Sequence, residues 1–183
     1  MNLQLATDFF SEPVTAFRNL KNHKASYWAT LILILAHLAM IPRALPVPNS
    51  IAYEVIQTAI TGVMLALVVS AYVCGIARLF NGRASFSQTY QAVSVAFLPQ
   101  ILFGPIGLLQ VIWPSSNLIG ELSYLANFIL SLWVLYLLVV AIRETHQITT
   151  GGAIAALLAG PILLMILVIA LTVVFATSLS ALI

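Results

Sequence analysis

Five long apolar runs, separated by short polar loops, constrain this chain more than any other feature. They cover 25–41, 53–79, 86–113, 122–142 and 151–179. Over the whole chain 62% of residues are hydrophobic and 7% are charged, whereas a soluble domain has about 25% charged residues. Because so few charges cannot cover a water-exposed surface, we expect lipid to surround most of the chain. The predicted fold class is an all-α polytopic membrane helix bundle, with five transmembrane helices and an N-terminal amphipathic helix.

The N-terminal segment, 1–24, differs from the apolar domain that follows over 25–183. Phe10, Val14 and Phe17 recur at helical spacing on one face. The basic side chains that follow are Arg18, Lys21 and Lys24. We therefore predict a cytosolic amphipathic helix, with two alternatives for its position. It lies in the headgroup region with its phenylalanines in lipid, or it packs on the cytosolic side of the bundle, and the two positions are compatible.

Prolines interrupt the apolar runs at mid-depth. A proline removes one backbone donor from a helix and clashes with the preceding turn, so helix breaks are predicted at Pro99, Pro105 and Pro161. Such breaks line substrate or ion sites in many transporters, or they are kinks packed against neighbouring helices. The third run, 86–113, contains no acidic residue, which favours packed kinks.

Small residues recur every four positions in the second and fifth runs. In lipid, a ridge of small side chains lets another helix backbone approach closely. The predicted packing ridges are Gly62, Ala66 and Ser70 in the second run, and Gly152, Ala156 and Gly160 in the fifth.

The basic residues predict the orientation of the chain. With the N-terminus inside, six of them lie in cytoplasmic segments and only Arg43 lies outside, as the positive-inside rule requires. Five spans then place the C-terminus outside. The candidate cytosolic interaction surface consists of Lys21, Lys24, Arg78, Arg83, Arg143 and His146. The alternative is that these charges only anchor the topology.

Catalytic and metal-binding patterns are lacking in the sequence. It contains no HExxH, paired-acid or GxSxG arrangement, and Cys74 is its single cysteine. We expect no enzyme activity, no cofactor and no metal. A net charge of only +2 argues against nucleic-acid binding.

Several motifs resemble the Yip domain family, the Ypt-interacting proteins. The N-terminal FxxPxxAF pattern runs from Phe10 to Phe17, and the loop Ala77–Phe86 reads AR-x-F-x-GR-x-S-F. A span ending AFLP and a later IR…H…TT segment follow in the family's order. The resemblance implies five spans with a cytosolic N-terminus and makes 25–183 the Yip-like domain. For eukaryotic members it implies binding of prenylated Rab GTPases in endoplasmic reticulum–Golgi traffic.

The chain is more similar to the short bacterial members of that family. It lacks the long cytosolic region and the acidic-Tyr-Gly-Pro motif of the eukaryotic members, so we do not expect GTPase binding. The predicted location is a bacterial inner membrane. We interpret the chain as a non-catalytic membrane scaffold or adaptor, whose partners are membrane lipids and other membrane proteins or a second copy. The alternative is a small-molecule or ion transporter or channel that uses the proline-broken spans three and five.

Overall fold

The computed structural model describes residues 8–20, 26–41 and 51–180, and its regular structure there is helical throughout. Lys21 and Lys24 lie outside the described residues. A helical turn at 8–11 precedes the first helix. The elements are α1 (Pro13–Leu20), α2 (Ser26–Leu38), α3 (Ile51–Leu79), α4 (Phe86–Ala96), a 3-10 helix (Leu98–Leu102), α5 (Phe103–Ile112), α6 (Asn117–His146) and α7 (Thr150–Ser180).

Four helical segments in the described part of the chain are long and apolar enough to cross a membrane. They are Ala52–Leu79, Phe86–Ile112, Asn117–His146 and Thr150–Val174. The α2 helix has 13 residues, about 20 Å, which is shorter than a bilayer core of about 30 Å. The all-helical membrane fold is therefore confirmed with four candidate spans, and a fifth span through α2 stays a prediction.

The third apolar run is broken at Pro99 but not at Pro105, since the first turn of a helix accommodates a proline. The α4 helix ends at Ala96, the 3-10 helix carries Pro99 near its start, and Pro105 lies in the first turn of α5. Pro99 and Phe103 are buried, and the 3-10 helix packs against α2 and α6. Protein therefore surrounds this break on at least two sides.

Pro161 does not break its helix, so that prediction was wrong. It lies inside the continuous helix α7, where its ring nitrogen cannot donate to the carbonyl of Leu157, four residues earlier. The hydroxyl of Tyr72 on α3 donates to that carbonyl at 3.0 Å instead. Gly160 leaves room for the donor, since a Cβ at this position would lie 2.7 Å from the Tyr72 ring. The neighbouring helix thus replaces the hydrogen bond that the proline removes.

Replacing Tyr72 tests whether its hydroxyl compensates for the backbone N–H that Pro161 lacks. We expect Tyr72→Phe to lower the unfolding free energy by about 1–2 kcal/mol, because the carbonyl of Leu157 loses its replacement donor. In a Pro161→Ala background the same change should cost less, since alanine restores the backbone N–H at that position. A double-mutant cycle measured by unfolding in detergent checks this coupling.

The matched control is Tyr136→Phe. That tyrosine is 52% exposed and its hydroxyl forms no hydrogen bond with the described residues, so its loss should change stability little. An equal cost for Tyr72→Phe with and without Pro161 would contradict the assignment.

The first small-residue ridge, Gly62–Ala66–Ser70, lies on the side of α3 that faces α2 and α4. The ring of His37 lies directly against Gly62, where a Cβ would be 2.6 Å from it. Ala66 clusters with the buried Leu33 of α2. This ridge therefore sets the close approach of α2 to α3.

The second ridge, Gly152–Ala156–Gly160, packs against the later part of α3 and the Phe80 that follows it. Ala156 is fully buried in a cluster with Val73 and Ala77 of α3. Together the two ridges make α3 the helix against which both α2 and α7 pack.

The N-terminal segment packs along the side of α6. The Phe10 ring lies 5.5 Å from that of Trp133, and Arg18 contacts Glu144 at 3.1 Å, so the segment follows α6 over about 16 Å. Phe17 is fully buried. The cluster that contains it also includes Phe9, Ala16, Leu20, Ala92, Val95, Ala96, Leu137, Val140 and Ala141. The segment therefore packs on the bundle, and its position in the headgroup region stays a prediction.

Candidate functional site

The end of the bundle formed by two short loops carries most of the predicted surface residues. Loop 80–85 connects α3 to α4, and loop 147–149 connects α6 to α7. Arg78, Arg83 and Arg143 all lie in or next to these loops. We call this part of the molecule, together with Arg18, the basic end.

Backbone hydrogen bonds fix the start of loop 80–85. The carbonyl of Ala77 accepts the N–H of Phe80 at 3.0 Å and the N–H of Gly82 at 2.9 Å. Between them, Asn81 has a left-handed backbone with φ of 62°, a conformation in which asparagine is enriched. A Cβ at Gly82 would lie 2.7 Å from the Ala77 carbonyl oxygen. The turn therefore requires the glycine.

The second half of the loop is closed by a capping box at the start of α4. The Ser85 hydroxyl accepts the Gln88 backbone N–H, and the Gln88 side chain accepts the Ser85 N–H at 2.9 Å. This reciprocal pair satisfies two backbone donors that a helix start leaves free. Loop 80–85 is thus held at both ends.

His146, at the end of α6, is hydrogen bonded to loop 80–85 and to the start of α4 from the buried side of the loop. Its Nε2 lies 2.9 Å from the Thr89 hydroxyl oxygen, and Thr89 donates its own proton to the Ser85 carbonyl at 2.9 Å. A threonine hydroxyl has one proton, so His146 donates from Nε2. The Arg83 N–H in turn donates to the His146 carbonyl at 3.2 Å. His146 is fully buried, so it lies beneath the predicted interaction surface and does not form part of it.

Loop 147–149 is closed in the same manner. Gln147 has φ of 58° and ends α6 in the left-handed conformation, and the Ile148 N–H donates to the Arg143 carbonyl at 3.2 Å. The Thr149 hydroxyl accepts the Gly152 N–H at 3.2 Å, which makes Thr149 a side-chain cap for the start of α7.

One carboxylate joins two of the arginines. Glu144 contacts Arg18 at 3.1 Å and Arg143 at 2.8 Å. Its side chain is 13% exposed, whereas that of Arg18 is 70% exposed. The exposed pair contributes less than about 1 kcal/mol. Beside it lies a cavity of about 390 Å³ lined by Arg18, Arg143, Glu144, Gln147 and Ile148.

Two arginines remain without an ionic partner among the described residues. Arg78 and Arg83 are exposed. Each comes directly after a residue whose backbone is held by hydrogen bonds, Ala77 and Gly82 respectively. An arginine presents a planar fork of donors suited to carboxylate and phosphate groups. The two arginines therefore extend from a fixed backbone and form a positively charged surface suited to an anionic group.

Comparison with known families agrees with this architecture. A family model described as the Yip1 domain matches residues 7–172. The chain belongs to the Yip1 domain family. Searches of curated proteins and of solved structures gave no significant match.

The structure gives physical roles to the residues that carry the Yip1 domain resemblance. Pro13 is the first residue of α1, where its missing N–H costs nothing. Gly82 and Ser85 shape the loop described above. These motif residues build the framework of the basic end, and the arginines project from it.

Four residues that organise the basic end were not singled out from the sequence as site residues. Thr89 and Glu144 act through partners far away in the chain, His146 and Arg18 respectively, and no local pattern predicts such pairs. The Ser85–Gln88 capping box does have a local signature and could have been found. In the described part of the chain, no group of three or more His, Cys, Asp or Glu could hold a metal ion.

Adding one methyl group to the loop tests how strictly it is fixed. We expect Gly82→Ala to lower the unfolding free energy by about 1–3 kcal/mol, because the new Cβ meets backbone atoms that cannot move without opening the turn. Thermal or denaturant unfolding in detergent measures this change.

The matched control is Gly75→Ala on α3, where a Cβ would meet nothing within 4 Å. There the higher helix propensity of alanine should be neutral or stabilise by about 0.5–1 kcal/mol. Equal effects at the two glycines would show that the loop is looser than described.

Proposed function

We propose that this Yip1 domain is a non-catalytic membrane scaffold or adaptor that binds an anionic partner at its basic end. The observation that supports this most directly is the contrast within loop 80–85. Its backbone is held by hydrogen bonds at Ala77, Ser85 and His146, while Arg78 and Arg83 are exposed. A loop whose backbone is already held in place loses less backbone conformational entropy when it binds.

We further propose that the basic end faces the cytoplasm of a bacterium, in the inner membrane. The arginines on this side, Arg18, Arg78, Arg83 and Arg143, support that orientation. With α2 as a first, short span, the N-terminus is cytoplasmic and the C-terminus lies outside. The proposed partner is either an acidic protein surface or a second membrane protein that binds together with anionic lipid. GTPase binding is not expected.

The transporter alternative relied on proline breaks in spans three and five. The helix around Pro161 is continuous, so one of the two breaks is missing. At the other, Leu98 and Pro99 are buried against protein. Substrate-specific flux in liposomes that is lost on Pro99→Ala would favour this alternative over the scaffold.

Site-specific crosslinking tests the scaffold proposal. A photo-reactive residue at Leu79, which is 77% exposed beside Arg78, should form an adduct with a specific protein in membranes. A photo-reactive residue at Leu118, 66% exposed at the opposite end of the bundle, should not form that adduct. High salt should weaken the adduct, because exposed charges are screened.

Conservative substitutions separate recognition from anchoring. The Arg78→Lys/Arg83→Lys pair keeps both charges, and hence the topology, but loses the planar forks. We expect it to lower the adduct yield about tenfold. Arg43→Lys, at the one basic residue that the sequence places outside, is the control and should change the yield little. Wild-type yield from the paired lysine variant would mean that these arginines only anchor the chain.

A further inference from the structure

A second cavity lies at the opposite end of the bundle from the arginines. Its volume is about 420 Å³, and it lies between the end of α2 and the beginning of α3. Its lining consists of His37, Met40, Ile41, Glu54, Gln57, Thr58 and Thr61. No residue of the basic end contributes to it.

The α3 side of this cavity is a polar stripe on an otherwise apolar helix. Glu54, Gln57, Thr58 and Thr61 are spaced i, i+3, i+4 and i+7, so they share one helix face. Glu54 is in the first turn of α3, where the helix dipole favours a carboxylate. One of its oxygens, Oε2, is buried and has no hydrogen-bond partner among the described residues. A buried carboxylate oxygen without a partner is costly, so the site is suited to a donor that this part of the chain does not supply.

The α2 side of the cavity adds a fixed hydrogen-bond acceptor. Nδ1 of His37 lies 2.9 Å from the Leu33 carbonyl, and a carbonyl can only accept, so Nδ1 carries the proton. The Nε2 atom of the neutral ring is then an acceptor. The ring lies against Gly62, where a Cβ would be 2.6 Å away. This glycine therefore sets the position of the imidazole as well as the spacing of the helices.

The chemistry of the lining selects the ligand. One carboxylate, one imidazole nitrogen, two hydroxyls and one amide oxygen offer acceptors to a positive group. The volume lies within the range of small-molecule sites and exceeds what a single ion needs. Quaternary ammonium groups are typically held by aromatic cages, and among the described lining residues the only ring is that of His37. Met40 and Ile41 provide apolar surface for a carbon chain.

We propose that this cavity binds the primary ammonium group of an organic ligand, with Glu54 as its counter-ion. The N–H donors of the ammonium bind Glu54 and the neighbouring acceptors, and the carbon skeleton lies against Met40 and Ile41. Two sources carry this chemistry: the headgroup of an aminophospholipid and a free small amine. The site is independent of partner binding at the basic end.

The test uses the full-length purified protein and four probes. Ethanolamine and choline are titrated in lipid-free detergent, and binding is measured by calorimetry. Phosphatidylethanolamine and phosphatidylcholine are compared by their retention in native mass spectrometry. We expect at least about tenfold preference for the primary ammonium in one pair or both. Preference only among the lipids identifies a headgroup, and preference among the free amines identifies a soluble ligand.

Substitutions of the lining residues test whether the ligand binds in this cavity. Glu54→Gln keeps the size of the side chain and removes its charge, so it should weaken binding about tenfold or more. Glu121→Gln, an exposed acid in the first turns of α6, is the matched control and should bind like the wild type. If Glu54→Gln fails to fold, Thr58→Val, which keeps the charge, should fold and weaken binding to a smaller extent.

Three results would overturn the proposal. The first is equal binding of the primary and quaternary probes, or no binding of either. The second is wild-type binding by a folded Glu54→Gln variant. The third is binding that appears only in Arg43→Gln, since the cation of the site would then be the chain's own guanidinium. Arg43→Gln that binds like the wild type supports an external ligand.

Discussion

The requirement that every backbone polar group find a partner inside the protein governs this fold, because hydrocarbon offers none. Two prolines show two ways of meeting it. At Pro99 the helix ends and restarts through a 3-10 helix that packs against α2 and α6. At Pro161 the helix continues, since the Tyr72 hydroxyl supplies the donor that the proline lacks. The second solution needs a tyrosine on the neighbouring helix and a glycine beside the proline, so it links the packing of α3 and α7 to the integrity of α7 itself.

The same requirement explains why the loop motif of the Yip1 domain has the residues it has. Carbonyl groups in the last turns of α3 and α6 accept hydrogen bonds from N–H groups that come just after a residue with a left-handed backbone. That residue is Asn81 in one loop and Gln147 in the other. The start of α4 is satisfied by its capping box, and the carbonyl of His146 by Arg83. Once these groups are paired within the loops, the side chains of Arg78 and Arg83 are not needed to close them. They are then free to project from a rigid backbone, which is the property on which a binding function at this end depends.

Sequence reasoning located what depends on local pattern and missed what depends on distant partners. The apolar runs and the break at Pro99 follow from hydropathy and from the chemistry of single residues. Pro161 was misjudged because the effect of a proline depends on whether another helix replaces its hydrogen bond, and Tyr72 lies far away in the chain. His146 was placed on the surface because it follows two charged residues, but its burial is decided by Thr89 and Gly82 on other elements. The fourth apolar run, 122–142, is also shorter than α6. The helix continues beyond its apolar part as far as its caps, Ser116 and Gln147.

The distribution of charge connects the two ends of the molecule. The chain has only seven basic and five acidic residues, and lipid makes each of them expensive unless it reaches water or a partner. Glu144 serves two arginines at once and fastens the N-terminal segment to α6. Among the described residues, Arg78 and Arg83 at one end and Glu54 at the other have no such partner. A soluble protein carries many unpaired surface charges that mean little. In a chain this apolar, an unpaired charge that lies on a rigid framework or is directed into a cavity supports the two partners proposed above, whose charges are opposite.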